Sequence, residues 1–390
     1  VFVIITSGLY INTQNKQEIL SNELEVTKRK LSNAADILSK HQDVGARTQL
    51  PPKQAKAYLL QKEHKPKHVP KFDVSKLIRI NSVEDIKQKR NSLINFIWKD
   101  KGFPSNLLPS KIEEDLKDES YTNHQNIKQL DKLTVSMKHG VESYIYYYHN
   151  KTPNKCLAIF HRGHGTDYHY DQVSKPVSEG LLDINCDTMV ISMPLLGVNN
   201  QPEVFIEGYG KIKLRDHDSL RYLATENFSP ISYFMTPITS AINHAQKIKK
   251  YKKIIMTGFS GGGWSTVLYA ALDERIHKSY SVSGSAPIYL RKSQAETGDY
   301  EQATPELYNI ANYLELYVMS ISNNRRHIQV INRFDSCCFS GTGYKTYINS
   351  IAQKSKQLSG KFLVMLDSSV LEHTVSKAAL KVILKDIHDN

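Results

Sequence analysis

At 390 residues the chain is long enough to bury a large core, and 40% hydrophobic with 23% charged residues is the composition of a globular protein. Its 51 Lys and Arg against 39 Asp and Glu give a net charge of +12. Basic and acidic residues are interleaved, however, without an Arg-rich, aromatic-studded patch, which argues against nucleic acid as a partner. Four cysteines, Cys156, Cys186, Cys337 and Cys338, are too few and too irregularly spaced for a disulfide framework or a zinc site. The adjacent pair is expected to stay unbonded, each packing as a small apolar residue beside Asp335.

The opening VFVIITSGLYI is apolar and reads either as the end of a signal or membrane anchor or as a packed strand. Leu24, Leu31 and Leu38 then recur once per heptad, a stripe that wants a partner. A short stalk and a helix docked on the main domain suit it equally. The stripe tilts residues 1–11 toward a membrane tether of an exported protein, with the compartment left open. Residues 1–50 are read as this apolar segment and helical stalk, and 51–80, with Pro51, Pro52 and the polar KEHKPKHVPKFD, as a linker.

Residues 81–390 read as one domain. A helix is expected over SVEDIKQKRNSLINFIW, capped by Ser82 with Asp85 three residues on, and burying Ile86, Leu93, Ile94, Ile97 and Trp98. KLTVSMK and ESYIYYYH, on either side of His139 and Gly140, form a predicted hairpin. Short apolar runs then alternate with helix-length segments: CLAIFH, DTMVISM, KKIIMT, HKSYSV, HIQVIN and KFLVML are the predicted strands. An antiparallel lead-in followed by strand–helix repeats implies an α/β fold, a mostly parallel sheet with helices on both faces. Ligands of such sheets sit at the carboxyl ends of the strands.

At one of those ends stands Gly258-Phe259-Ser260-Gly261-Gly262, a G-x-S-x-G match between a predicted strand and a predicted helix. A sharp strand-to-helix turn crowds the positions two before and two after its central residue, leaving no room for a β-carbon. The serine is thereby exposed over the sheet, with a helix N-terminus pointing at it. The Lys that a phosphate-cradling loop would need is absent; Trp264 and Ser265 stand there instead.

With that turn in place the chain resembles the α/β-hydrolase superfamily over roughly residues 80–390, and within it the serine esterases and dienelactone-hydrolase-like members. The resemblance implies a triad in the order Ser, acid, His. Asp335, after HIQVIN, matches the acid and His373, in the loop before the last helix, the base. Asp367, ending KFLVMLD, is the competing acid, better suited to fixing the histidine's loop. The resemblance also implies an oxyanion hole made by Gly261 and by Gly163 or His164 in the loop HRGHGTD, which departs from the family pattern at Arg162.

His161, His164, Asp167 and His169 could suggest a metal site. Their spacing puts them on a loop rather than one helical face, which favours support of the loop by His161 and a pocket-facing His164. No metal or cofactor is expected. Polar, Tyr-rich insertions near 198–228 and 287–318 are expected to form a cap over the site. The expected activity is that of a serine hydrolase cleaving a carboxylic ester through an acyl-enzyme on Ser260, with a small-molecule or glycan ester, acetylated or otherwise polar, as substrate. A serine peptidase and a non-catalytic, membrane-anchored binding protein of the same fold are the alternatives.

Overall fold

The structure is a computed structural model and describes residues 72–117, 123–164, 172–291 and 297–389. The apolar segment 1–11, the heptad stripe and most of the linker lie outside the described residues. Among the described residues no helix is long and apolar enough to cross a membrane.

Helix α1 (Val83–Trp98) starts where the sequence offers a cap: Ser82 Oγ accepts from the Asp85 N–H at 3.1 Å and the Asp85 carboxylate accepts from the Ser82 N–H at 3.0 Å. It buries Ile86, Leu93, Ile97 and Trp98. The chain before it is already packed. Val74, Ile78 and Ile80, inside the stretch read as linker, are buried in the same core, and Arg79 pairs with the fully buried Glu315 at 2.8 Å.

Nine strands form the main sheet among the described residues: β1 (Lys111–Glu113), β2 (Ile127–Ser136), β3 (Glu142–Asn150), β4 (Cys156–His161), β5 (Cys186–Ile191), β8 (Lys253–Phe259), β9 (Lys278–Val282), β10 (Arg326–Asn332) and β11 (Lys361–Asp367). Their order is β1-β2-β3-β5-β4-β8-β9-β10-β11. Pairings from β1 through β5 are antiparallel and all others parallel. The expected α/β fold with a mostly parallel sheet is what the chain adopts. Two further strands, β6 (Glu203–Ile206) and β7 (Gly210–Lys213), pair as a separate hairpin within the first insertion.

Side chains alternate across the sheet and so build two cores. On β8, Ile254 and Met256 join a core with α1, α3 (Ser232–Ile248) and α4 (Gly261–Leu272), while Ile255 and Phe259 join the other with α2 (Ser174–Asp183) and α9 (Lys377–His388). The second insertion carries two short helices, α5 (Tyr300–Ala303) and α6 (Pro305–Ile310), and runs into the wholly buried α7 (Tyr313–Ile321), which packs on α4. Helix α8 (Ile348–Gln357) covers the sheet between β10 and β11 in sequence.

The cysteines correct the sequence reading. Cys156 and Cys186 open the neighbouring parallel strands β4 and β5 at the same register position, their Cα atoms 4.6 Å apart, and are disulfide-bonded. Spacing along the chain carries no information about which strands become neighbours. Cys337 and Cys338 are bonded to each other as well, rather than packing as separate thiols. Both residues' N–H groups donate to Asp335 Oδ1, at 2.8 and 3.1 Å, so the loop curls around one carboxylate oxygen and brings the two sulfurs together.

Candidate active site

Strand β8 ends at Phe259 and α4 begins at Gly261, so Ser260 alone makes the turn. It adopts φ 55° and ψ −127°, a left-handed conformation that costs a non-glycine residue roughly 1–3 kcal/mol. The turn is held by the Ser260 N–H donating to Val282 O at 2.9 Å and by Ser260 O accepting from the Gly263 N–H at 2.8 Å. The flanking glycines are a steric requirement. A β-carbon on Gly258 would lie 2.0 Å from Gly262 O, and one on Gly262 would lie 1.9 Å from His161 O.

Gly163, in the loop after β4, presses on this turn so closely that a β-carbon there would lie 2.5 Å from both Phe259 O and Ser260 Cβ. The loop thus runs alongside the serine. Gly261 meets His164 in the same way: its β-carbon would lie 2.6 Å from His164 Nδ1 and Cε1. The first N–H groups of a helix have no partner within it, and α4 begins directly after Ser260. Arg162, the departure from the family pattern, stacks its guanidinium 5.5 Å from the Phe259 ring centre.

His373 donates from Nδ1 to Asp335 Oδ2 at 2.8 Å. The Asp335 side chain is fully buried, and its other oxygen takes the two N–H groups of the cysteine loop. Committing Nδ1–H to a carboxylate leaves the Nε2 lone pair available. The His373 ring lies 4.5 Å, centre to centre, from the ring of Phe259, the neighbour of Ser260. Nε2 itself is buried and has no hydrogen-bond partner, so the Ser260–His373 hydrogen bond expected of a triad is not made. Such bonds are often long without substrate and tighten in the Michaelis complex.

Asp367 is occupied elsewhere. It accepts from the Ser369 N–H at 2.8 Å and from the hydroxyls of Ser369 and Ser376, and Ser376 in turn caps α9 by accepting from the Ala379 N–H. Asn332 Nδ2 donates to Thr374 O at 2.7 Å. The loop that carries His373 is therefore pinned from the ends of both β10 and β11.

No protein-family model matches the sequence, and no curated protein matches it. The similarity lies in solved structures. An acetyl xylan esterase from Paenibacillus sp. R4 aligns with a TM-score of 0.51 at 14% identity, over 87% of this chain and 99% of its own. Acetyl xylan esterase 1 from Thermoanaerobacterium sp. JW/SL YS485 aligns at 0.51 and 13%, over 82% and 98%. Methylesterase BT1017 aligns at 0.55 and 14%, over 86% of this chain and 66% of its own. The chain has the α/β-hydrolase fold.

Within this α/β-hydrolase fold the two insertions reach back to the loop after β4. His164 Nε2 lies 3.0 Å from His217 Nδ1 and 3.0 Å from Asp299 Oδ2. Glu301, fully buried, completes the group. Burial opposes a charge on His164, but the Asp299 and Glu301 carboxylates outweigh it and raise its pKa to about 10. His161 contributes no donor to the group. Its Nδ1 meets Arg162 O at 3.0 Å, and full burial pushes its pKa down to about 4. Asp167 and His169 lie outside the described residues. The sequence reading singled out His164 but missed His217, Asp299 and Glu301, which stand in two other stretches of the chain, far from His164.

Proposed function

We propose that the chain is a serine hydrolase of carboxylic esters that works through an acyl-enzyme on Ser260. The observation that carries this reading is a serine held at positive φ on the nucleophile turn, together with a histidine that Asp335 orients and whose ring packs on Phe259, the serine's neighbour. In the proposed cycle Ser260 Oγ attacks the ester carbonyl carbon while His373 Nε2 takes its proton. The oxyanion is held by the N–H of Gly261 and by that of Gly163 or His164. Asp335 stabilises the imidazolium, which returns its proton to the departing alkoxide. Water, deprotonated by the same Nε2, then releases the acid and restores Ser260.

A polar ester, an acetylated glycan among the candidates, is the proposed substrate class. An open cavity of about 410 Å³ between the insertions supports it, lined by hydrogen-bonding groups such as Asp218, Arg221, Asp299, Tyr300, Thr304 and Glu306. Asp299 connects this cavity to His164 and so to the turn at Gly261. The names of the acetyl xylan esterases and the methylesterase point the same way.

The test is turnover of p-nitrophenyl acetate by the purified chain and by Ser260→Ala, with fluorophosphonate labelling of both. Turnover and labelling should vanish in the variant. Equal turnover by the two proteins would sink the reading, and a panel of acetylated sugars against peptide amides would decide the substrate class.

A further inference from the structure

We propose that His164, His217, Asp299 and Glu301 form a binding site for a divalent transition-metal ion, zinc by its donor set, that clamps both insertions onto the loop beside Ser260. The four side chains already bring their donor groups together as such an ion requires. His164 Nε2 stands 3.0 Å from His217 Nδ1, 3.0 Å from Asp299 Oδ2 and 3.4 Å from Glu301 Oε1, and His217 Nδ1 stands 3.7 Å from Asp299 Oδ2 and 3.2 Å from Glu301 Oε2. All four lie within 4.8 Å of one another. A tetrahedral zinc ion with arms of about 2.0–2.1 Å sets its ligand atoms about 3.3–3.4 Å apart. The measured separations bracket that value.

Protons satisfy this group poorly. His217 lies against Pro194 O through Nε2 at 3.0 Å, and donating there leaves Nδ1 as a bare lone pair facing His164. This is also how a metal-bound imidazole is commonly held, with its second nitrogen donating to a backbone carbonyl. Glu301 is fully buried, and its two carboxylate oxygens face imidazole nitrogens of His164 and His217 at 3.4 and 3.2 Å without a well-formed hydrogen bond to either. A buried carboxylate that is only loosely hydrogen-bonded is costly to keep. The single Nε2–H of His164 cannot serve His217, Asp299 and Glu301 together, whereas one cation among the four serves all of them. Two imidazoles and two carboxylates suit zinc better than the all-oxygen shells of calcium or magnesium.

The ligands come from the loop after β4 (His164), the first insertion (His217) and the second (Asp299, Glu301). The edge of His164 away from the site rests on Gly261. The ion would thus fix the position of the Gly163–His164 backbone relative to Ser260. That positioning role rests on the esterase reading; the metal site itself does not.

The test uses the full chain. Elemental analysis after exposure to zinc and exhaustive buffer exchange should find a single zinc per chain, and Co(II) loaded after chelation should show the intense visible bands of tetrahedral coordination. Glu301→Gln and Asp299→Asn should each bind zinc at least ~100-fold more weakly, since changes even to a ligand's supporting partners cost about 10–100-fold. Asp299, partly exposed, supplies the variant that keeps the fold if Glu301→Gln does not. Zinc removal should also lower the melting temperature of Ser260→Ala, which has no serine chemistry to lose. Absence of zinc and of a tetrahedral Co(II) spectrum in the wild-type chain would overturn the proposal, as would undiminished binding by Asp299→Asn. Neither result depends on whether the chain cleaves esters.

Discussion

His373 donates to Asp335, across 38 residues of sequence, while Asp367 on the adjacent strand binds two serines of the histidine's own loop. The two carboxylates therefore predict opposite phenotypes. Asp335→Asn should lower kcat for a p-nitrophenyl ester by on the order of 10⁴, because an amide at this place favours the wrong histidine tautomer. Asp367→Asn should instead cost stability, about 1–3 kcal/mol for the lost acceptor, with a much smaller loss of kcat. Steady-state kinetics and thermal melts of both variants check this. A larger kcat loss in Asp367→Asn would reassign the acid.

Gly163 offers a second test, of the loop rather than the triad. A β-carbon there meets Phe259 O and Ser260 Cβ, both at 2.5 Å, so Gly163→Ala must push the loop away from the turn. If its N–H groups bind the oxyanion, kcat should fall by about 10²–10³, while overpacking costs about 1–3 kcal/mol. Fluorophosphonate should still label Ser260, only more slowly. Full activity in a folded Gly163→Ala would exclude this loop from the oxyanion hole.

The parts of the site that were legible in the sequence are those set by local sterics and chain order. The glycines around Ser260 announce the tight turn, and short apolar runs announce β4, β8, β10 and β11, after which Ser260, Asp335 and His373 follow. Helix α7 was not legible. It is buried on every side, from Tyr313 to Ile321, and so shows no amphipathic stripe to mark it as a helix. The group around Glu301 was illegible for another reason: its members meet only because two insertions fold back over one loop, and neither insertion has a periodic pattern that fixes where it lands.

The Cys156–Cys186 bond closes a loop over 30 residues between two buried strand ends. Constraining the unfolded chain in this way stabilises by about 2–4 kcal/mol. Cys156→Ala with Cys186→Ala should therefore melt several degrees below the parent, and reductant should lower the parent's melting temperature by more than that of the double variant, which keeps the Cys337–Cys338 bond. Mass spectrometry after alkylation without reductant should find both thiols blocked in the parent. Free thiols at both positions would contradict the pairing.

Two buried histidines predict how stability depends on pH. His161 and His327 are fully buried, and desolvation lowers their pKa values to about 4 and about 3. Hydrogen bonding does not cause the shift at His327. Its nitrogens lie 2.7 and 2.9 Å from the hydroxyls of Ser279 and Ser281, which can rotate to donate to a bare ring nitrogen or accept from a protonated one. Both histidines are thus neutral when folded and protonate near 6.5 when unfolded. Below that pH the unfolded chain binds more protons, so this stability is complete above pH 6.5 and is lost as pH falls toward 4 and below. Relative to the fully protonated chain, the two groups are worth roughly 3 and 5 kcal/mol above pH 6.5. His327→Gln removes one of them, and its unfolding free energy should fall with pH less steeply than the wild type's, by up to about 1.4 kcal/mol per pH unit between 6 and 4. Urea unfolding of both chains across that range measures the difference. Parallel curves would mean that His327 does not resist protonation in the folded chain.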